Sequence, residues 1–206
     1  IENCANFGAV TGVSSVGGII GSTAGNGSTI TGCYNTAEIT ATGSKVGGII
    51  GGTSSEMTVT SCYNTGKITG ANGGGIAGEV KGNVNWSGTV QGKITISSCY
   101  STGEAGSAVF GTVDTASSEI SKCYYLNTLA ADANAEALNE ADLKDADLSD
   151  AFGPVCGGYP ALRWQTDVTF HKANGEGTVV DPLCTVKGYT RFTCSECGES
   201  YRTAYT

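Results

Sequence analysis

The residues best suited to chemistry lie near the C-terminal end of the sequence: His171, Cys184, Cys194 and Cys197, spaced H-x12-C-x9-C-x2-C. A C-x2-C knuckle places two thiolates on one tight turn, and two further soft ligands complete the tetrahedral set that zinc takes. A disulfide between two of the three cysteines and free thiols are competing readings of the same residues. A second candidate group is the row Tyr34, Tyr63 and Tyr100, each directly after a cysteine. On a strand these rings alternate away from the cysteines, so they are expected to face outward, partly exposed, where tyrosine stacks on sugar rings.

Other chemistries find no residues to carry them. His171 is the only histidine and no G-x-S-x-G elbow occurs, so a nucleophilic triad has no base. Acid–base hydrolysis of polysaccharides needs clustered carboxylates. The first 128 residues hold no Asp before Asp114, no Arg and no His, and Glu2, Glu38, Glu56, Glu79 and Glu104 are scattered, although Glu38 and Lys67 are expected as neighbours. No Walker-type phosphate loop is present. The expectation is that the protein is not an enzyme.

The elements that must position these residues are announced by repetition. CYNTAEITA at 33–41 returns as CYNTGKITG at 62–70, and Cys4, Cys33 and Cys62 are 29 apart, followed by Cys99 and Cys123 at intervals of 37 and 24. A second phrase recurs between them: VGGIIG at 16–21 and 46–51, GGIAG at 74–78 and a reduced VFG at 109–111. A fixed period of this size means a repeat architecture. With 32 glycines and recurrent Val, Ile and Thr, each period reads as three short strands, for example VTSCYN, KITG and GGGIAGEV within 59–80, with A-N-G and N-T-G at the corners. Stacked repeats lay each strand beside its copy, so like residues form columns. The expected inward columns are Ile30/Val59/Ile96/Ile120, Val10/Ile39/Ile68 and Ile19/Ile49/Ile76, with the cysteines as a further column of small side chains.

The charge of −8 is unevenly spread: residues 1–128 carry 7 acidic and 5 basic side chains, 129–155 carry 7 and 1, and 156–206 carry 5 and 5. No basic stripe exists to hold nucleic acid, and no apolar run is long enough to span a bilayer. The acidic stretch 129–155 lacks a calcium-loop pattern and reads as a solvated face, with a helix around 134–140 and further helical turns at 142–151. GGYPALRWQ at 157–165 is expected to close the repeat array, with Leu162 and Trp164 covering its last strands.

The reiterated CYNTGxIxG and VGGIIG phrases over 1–128 resemble the GLUG-motif repeats of bacterial secreted and cell-surface proteins. The resemblance implies a right-handed parallel β-solenoid and an extracellular, cell-surface or secreted setting, and supplies no catalytic residue. The tail GYTRFTCSECGESY resembles a GYTxxTCSxCGxSY module of surface proteins of Gram-positive anaerobes. The expectation is therefore a mainly β chain: a right-handed parallel β-solenoid (β-helix) at 1–128, a short helical and irregular cap at 129–165, and a small His/Cys module at 166–206 in which zinc is the one cofactor considered. The chain reads as part of a longer multidomain protein. Its expected role is adhesion, binding a glycan or a host surface protein through the tyrosine row, and the alternatives are a rigid spacer displaying another domain and, behind it, a polysaccharide-degrading β-helix enzyme.

Overall fold

The computed structural model describes residues 1–23, 25, 27–184, 187–203 and 205. The chain divides into two compact units, Ile1–Asn139 and Glu140–Thr206. The first is built from three parallel sheets that the chain visits in turn. One sheet orders Ala5–Asn6, Tyr34–Asn35, Tyr63–Asn64, Ile94–Ser101, Ser118–Leu126 and Glu136–Leu138, with Ser28–Thr31 and Met57–Thr60 extending it. The second holds Val10–Gly12 and Val16–Gly17 beside Ile39–Gly47 and Ile68–Gly74. The third orders Ile20–Ser22, Ile50–Gly52, Ala77–Val80 and Phe110–Val113.

Register follows the repeat residue by residue. Ile30 pairs with Val59, Val59 with Ile96 and Ile96 with Ile120. Val10, Ile39 and Ile68 form the second column, and Ile19, Ile49 and Ile76 bond backbone to backbone in the third. Most of these side chains are buried, with Ile39, Ile49, Val59, Ile76 and Ile96 wholly so, and each contributes roughly 1.5–3 kcal/mol of burial.

The irregular intervals have a structural cause. The 37-residue interval contains an antiparallel hairpin, Asn83–Val84 with Val90–Gly92, that the other copies lack. Its tip carries Trp86, fully exposed at 100%. The 24-residue interval omits a strand of the second sheet and leaves a single bridge, Gly74 to Ser107.

Both repeated phrases are explained by their contact with each other. Asn35 Nδ2 donates to Asn64 Oδ1 at 2.7 Å, as Asn6 Nδ2 does to Asn35 Oδ1, so the asparagines of CYN form an amide ladder. A Cβ on Gly18 would stand 2.8 Å from Asn35 Cγ, and one on Gly48 would stand closer still to the Asn64 side chain. The second glycine of VGGIIG is thus the bare surface on which the asparagine of CYN packs. Each thiol of the cysteine column donates to the carbonyl two residues earlier: Cys33 to Thr31 O, Cys62 to Thr60 O and Cys99 to Ser97 O, all at 3.3 Å. The residue before each cysteine makes that reach possible by adopting positive φ, as at Asn3, Gly32, Ser61, Ser98 and Lys122. These thiols are structural. The neighbouring Cys62 sulfur and burial hold Cys33 above the ordinary thiol range, and burial does the same for Cys99.

Three expectations are corrected. Tyr34, Tyr63 and Tyr100 are not an exposed row but buried, at 3%, 6% and 1% exposure. Identical rings in register on strands about 4.8 Å apart stack face to face, and here the centroids lie 4.9 and 5.0 Å apart with planes tilted by 3° and 2°. Each ring covers the next, so none offers a face to a sugar. The helix expected around 134–140 is instead the strand Glu136–Leu138, which pairs with Tyr124–Leu126 and belongs to the first unit. The helical turns expected at 142–151 shrink to Glu140–Lys144, a five-residue helix, and Leu162 is buried opposite Phe152 in the hairpin Phe152–Gly153/Ala161–Leu162.

Candidate metal centre

The second unit contains that hairpin and an antiparallel sheet of Thr178–Val180, Tyr189–Thr193 and Ser200–Thr203. Cys156 sits in the turn of the hairpin, where Gly157 takes φ of +70°. His171 follows Phe170, which is bridged to Val155, and its backbone N–H donates to Pro154 O at 2.9 Å. Cys194 and Cys197 occupy the turn between Tyr189–Thr193 and Ser200–Thr203. Gly198, at φ of +77°, closes that turn by donating its N–H to Cys194 O at 3.0 Å.

These four side chains converge. Their ligand atoms all lie within 4.8 Å of one another. Cys156 Sγ is 3.6 Å from Cys194 Sγ and 3.5 Å from His171 Nδ1, and Cys197 Sγ is 3.4 Å from His171 Nδ1. A tetrahedron built on Zn–S of about 2.3 Å and Zn–N of about 2.0–2.1 Å has edges of ~3.8 Å for S···S and ~3.6 Å for S···N. The donor set and these three edges therefore fit a zinc-sized ion, and all four ligand atoms stay within 4.8 Å of one another. Of the four residues the spacing nominated, His171, Cys194 and Cys197 come together, while Cys184 is exposed and stands outside the group. Cys156, from GPVCGGYP, takes its place. The only sequence signal for it was that this cysteine falls outside both the repeat and the tail pattern.

The surroundings are those of a thiolate site. The backbone N–H groups of Lys172 and Glu196 point at Cys194 Sγ at 3.4 and 3.3 Å. Burial opposes ionisation of Cys194, but His171 and these N–H groups outweigh it and bring the thiol down to about 5. Cys156 is pushed up to about 12, by Cys197 first and then by burial and Cys194. Thiols this close resist ionising together, and a dication at their centre removes that conflict. His171 stacks on Tyr201, centroids 4.6 Å apart with planes 6° off parallel, and its Nε2 lies 3.9 Å from Glu199 Oε2. That oxygen accepts the Gly157 N–H at 2.9 Å, next to Cys156. An open cavity of about 310 Å³ adjoins this side, lined among others by Lys144, Asp145, His171, Glu199 and Tyr201.

Four protein donors would complete a tetrahedron around a zinc-sized ion and leave no open position for substrate, as structural rather than catalytic zinc sites do. Compared with protein-family models, with characterised proteins and with solved structures, the chain shows no match.

Proposed function

We propose that residues 1–139 form a right-handed β-solenoid serving as a rigid, non-catalytic scaffold of a secreted or cell-surface bacterial protein, with the C-terminal unit as a metal-bearing appendage of the zinc kind. The observation that carries this reading is the pairing of each repeat with the next in three parallel sheets, column on column. The resemblance of the CYNTG and VGGIIG phrases to GLUG repeats supports the setting. The ionic residues of the repeats also serve the stack: Lys45 pairs with Glu79 at 2.7 Å, Lys67 with Glu104 at 3.3 Å and Lys93 with Glu119 at 2.6 Å, each across neighbouring copies. Lys67 and Glu38 are neighbours in register, as Ile39 pairs with Ile68, and the Lys67 ammonium pairs with Glu104. Such exposed pairs contribute about 0–1 kcal/mol apiece and leave few carboxylates for acid–base work. Among the described residues no helix is long and apolar enough to cross a membrane.

A second reading, adhesion, is favoured by one observation. With the tyrosine row buried, the most exposed aromatic among the described residues is Trp86, held on an insertion whose turn is fixed by Asn85 Oδ1 accepting from Ser87 N at 3.1 Å and Thr89 N at 2.8 Å. An indole on a rigid tip offers a stacking face for a glycan at low entropic cost. Screening the full chain and Trp86→Ala against glycan and host-protein panels separates the readings. Silence of both proteins supports the scaffold, and a signal abolished by Trp86→Ala supports adhesion. Turnover of any polysaccharide by the purified chain overturns both.

A further inference from the structure

The unit Glu140–Thr206 has little apolar material with which to fold. Among its described residues the buried hydrophobic side chains are Leu143, Phe152, Ala161, Leu162, Cys194 and Tyr201. Four of these precede residue 165, so the three-stranded sheet is left with Cys194 and Tyr201, while its neighbours Val179 and Leu183 are 72% and 74% exposed. Three short strands with so poor an interior do not hold themselves together, and domains of this size commonly rely on a staple. The described residues contain no disulfide: all nine cysteines are free. The element that ties the sheet to the hairpin is the Cys/His cluster, which takes one ligand from the hairpin turn, one from the segment between, and two from the sheet turn.

We propose, resting on the metal reading above, that one zinc ion bound by Cys156, His171, Cys194 and Cys197 folds residues 152–203, and that Glu199 is the positioning residue that aims His171 at it. Nδ1 of His171 faces both Cys156 and Cys197, so it is the ligating atom and needs its lone pair. The proton then resides on Nε2, which faces the Glu199 carboxylate. A ligating histidine whose second nitrogen faces a carboxylate is fixed in tautomer and made more basic. Glu199 also stands 3.7 Å from Cys197 Sγ and binds the Gly157 N–H, so a single carboxylate touches all three ligand-bearing segments. Tyr201 fixes the ring plane from one side. Cys184 has no part in the site.

The test uses the full 206-residue chain, purified without chelator. Elemental analysis is expected to give one zinc per chain, and cobalt substitution to give thiolate-to-metal charge-transfer bands. Chelation is expected to abolish amide-exchange protection across 152–203 and to leave that of 1–139 unchanged. Cys184→Ser keeps the cobalt bands and Cys156→Ser loses them. Glu199→Gln keeps the stoichiometry and weakens zinc by about 10- to 100-fold. Absence of any metal uptake, or a Cys156–Cys194 disulfide found by mass spectrometry, overturns the metal reading itself. Zinc that binds one to one but whose removal leaves 152–203 equally protected overturns the folding role alone. Loss of metal from Cys184→Ser but not Cys156→Ser overturns the ligand set, and an unchanged affinity in Glu199→Gln overturns the positioning role.

Discussion

At the scale of single residues, the amide ladder shows both how the repeat is fastened and where it fails. Asn35 donates a second bond forward, to Ala37 O, and Asn64, which accepts from Asn35, donates forward to Gly66 O, both at 2.8 Å, so the Asn35 amide is nearly satisfied although fully buried, and the Asn64 amide lacks the next ladder partner. The next position in register is Ser101, whose Oγ is buried without a hydrogen-bond partner. A serine is too short to continue the ladder. An orphaned buried hydroxyl costs about 1–3 kcal/mol, and each bond made returns ~1 kcal/mol. Gly75 presents to Ser101 the bare surface that Gly48 presents to Asn64, so the larger amide meets the same glycine there. Ser101→Asn is therefore expected to stabilise the first unit by about 1–2 kcal/mol in denaturant unfolding. A destabilised variant would show that the fourth copy is not equivalent to the third. The same logic explains what was legible in the sequence. Asparagine and glycine recur at fixed places in each period, so their partnership can be read as a pattern even though its geometry cannot.

At the scale of elements, the question is how the third sheet ends. Inside the stack, two successive N–H groups share one carbonyl of the next copy: Ile49 and Ile50 both donate to Ile76 O at 3.0 Å, and Ile76 and Ala77 both donate to Val109 O. Val109 and Phe110 have no following copy, and they donate instead to Asp132 Oδ2 at 3.1 and 2.6 Å. The carboxylate of Asp132, 7% exposed, stands in for the missing carbonyl and closes the sheet edge against further pairing. Asp132→Ala leaves two buried N–H groups unpaired and is expected to cost about 2–4 kcal/mol. Asp132→Asn keeps an acceptor oxygen and is expected to cost less than half as much. Equal losses from the two variants would mean that the charge, not the carbonyl-like oxygen, closes the edge. Neither Asp132 nor Cys156 was legible beforehand, for a common physical reason. Each lies in an irregular segment and acts on residues 15 to 38 positions away, where no period carries the signal. The strands were legible because stacking copies a local pattern, and the burial of the tyrosines was not, because alternation gives a side of the strand and says nothing of what covers it.

At the scale of the whole molecule, the first unit is a stack in which the strands of each copy pair with those of the next, so stability is approximately a sum of copy and interface terms and is not uniform along the array. The interior copies are sealed: Ile49, Ile50, Val59, Cys62, Ile76, Ile94 and Ile96 are all fully buried. The first copy has one neighbour only among the described residues, and its Val10, Ile19 and Ile20 are half-buried, Phe7 is 66% exposed and Cys4 is exposed. Opening it forfeits one interface, whereas opening the third copy forfeits two. Amide exchange is therefore expected to fall in a gradient, fastest over 5–22, slower over 28–52 and slowest over 57–101, with the closing contacts of Asp132 protecting 109–113 beyond what an unsealed edge would allow. Asp132→Ala moves 109–113 into the fast class and leaves 57–80 slow. A single rate across the whole of 1–139 would mean that the unit opens as one cooperative body, and the additive description of the stack would then be wrong.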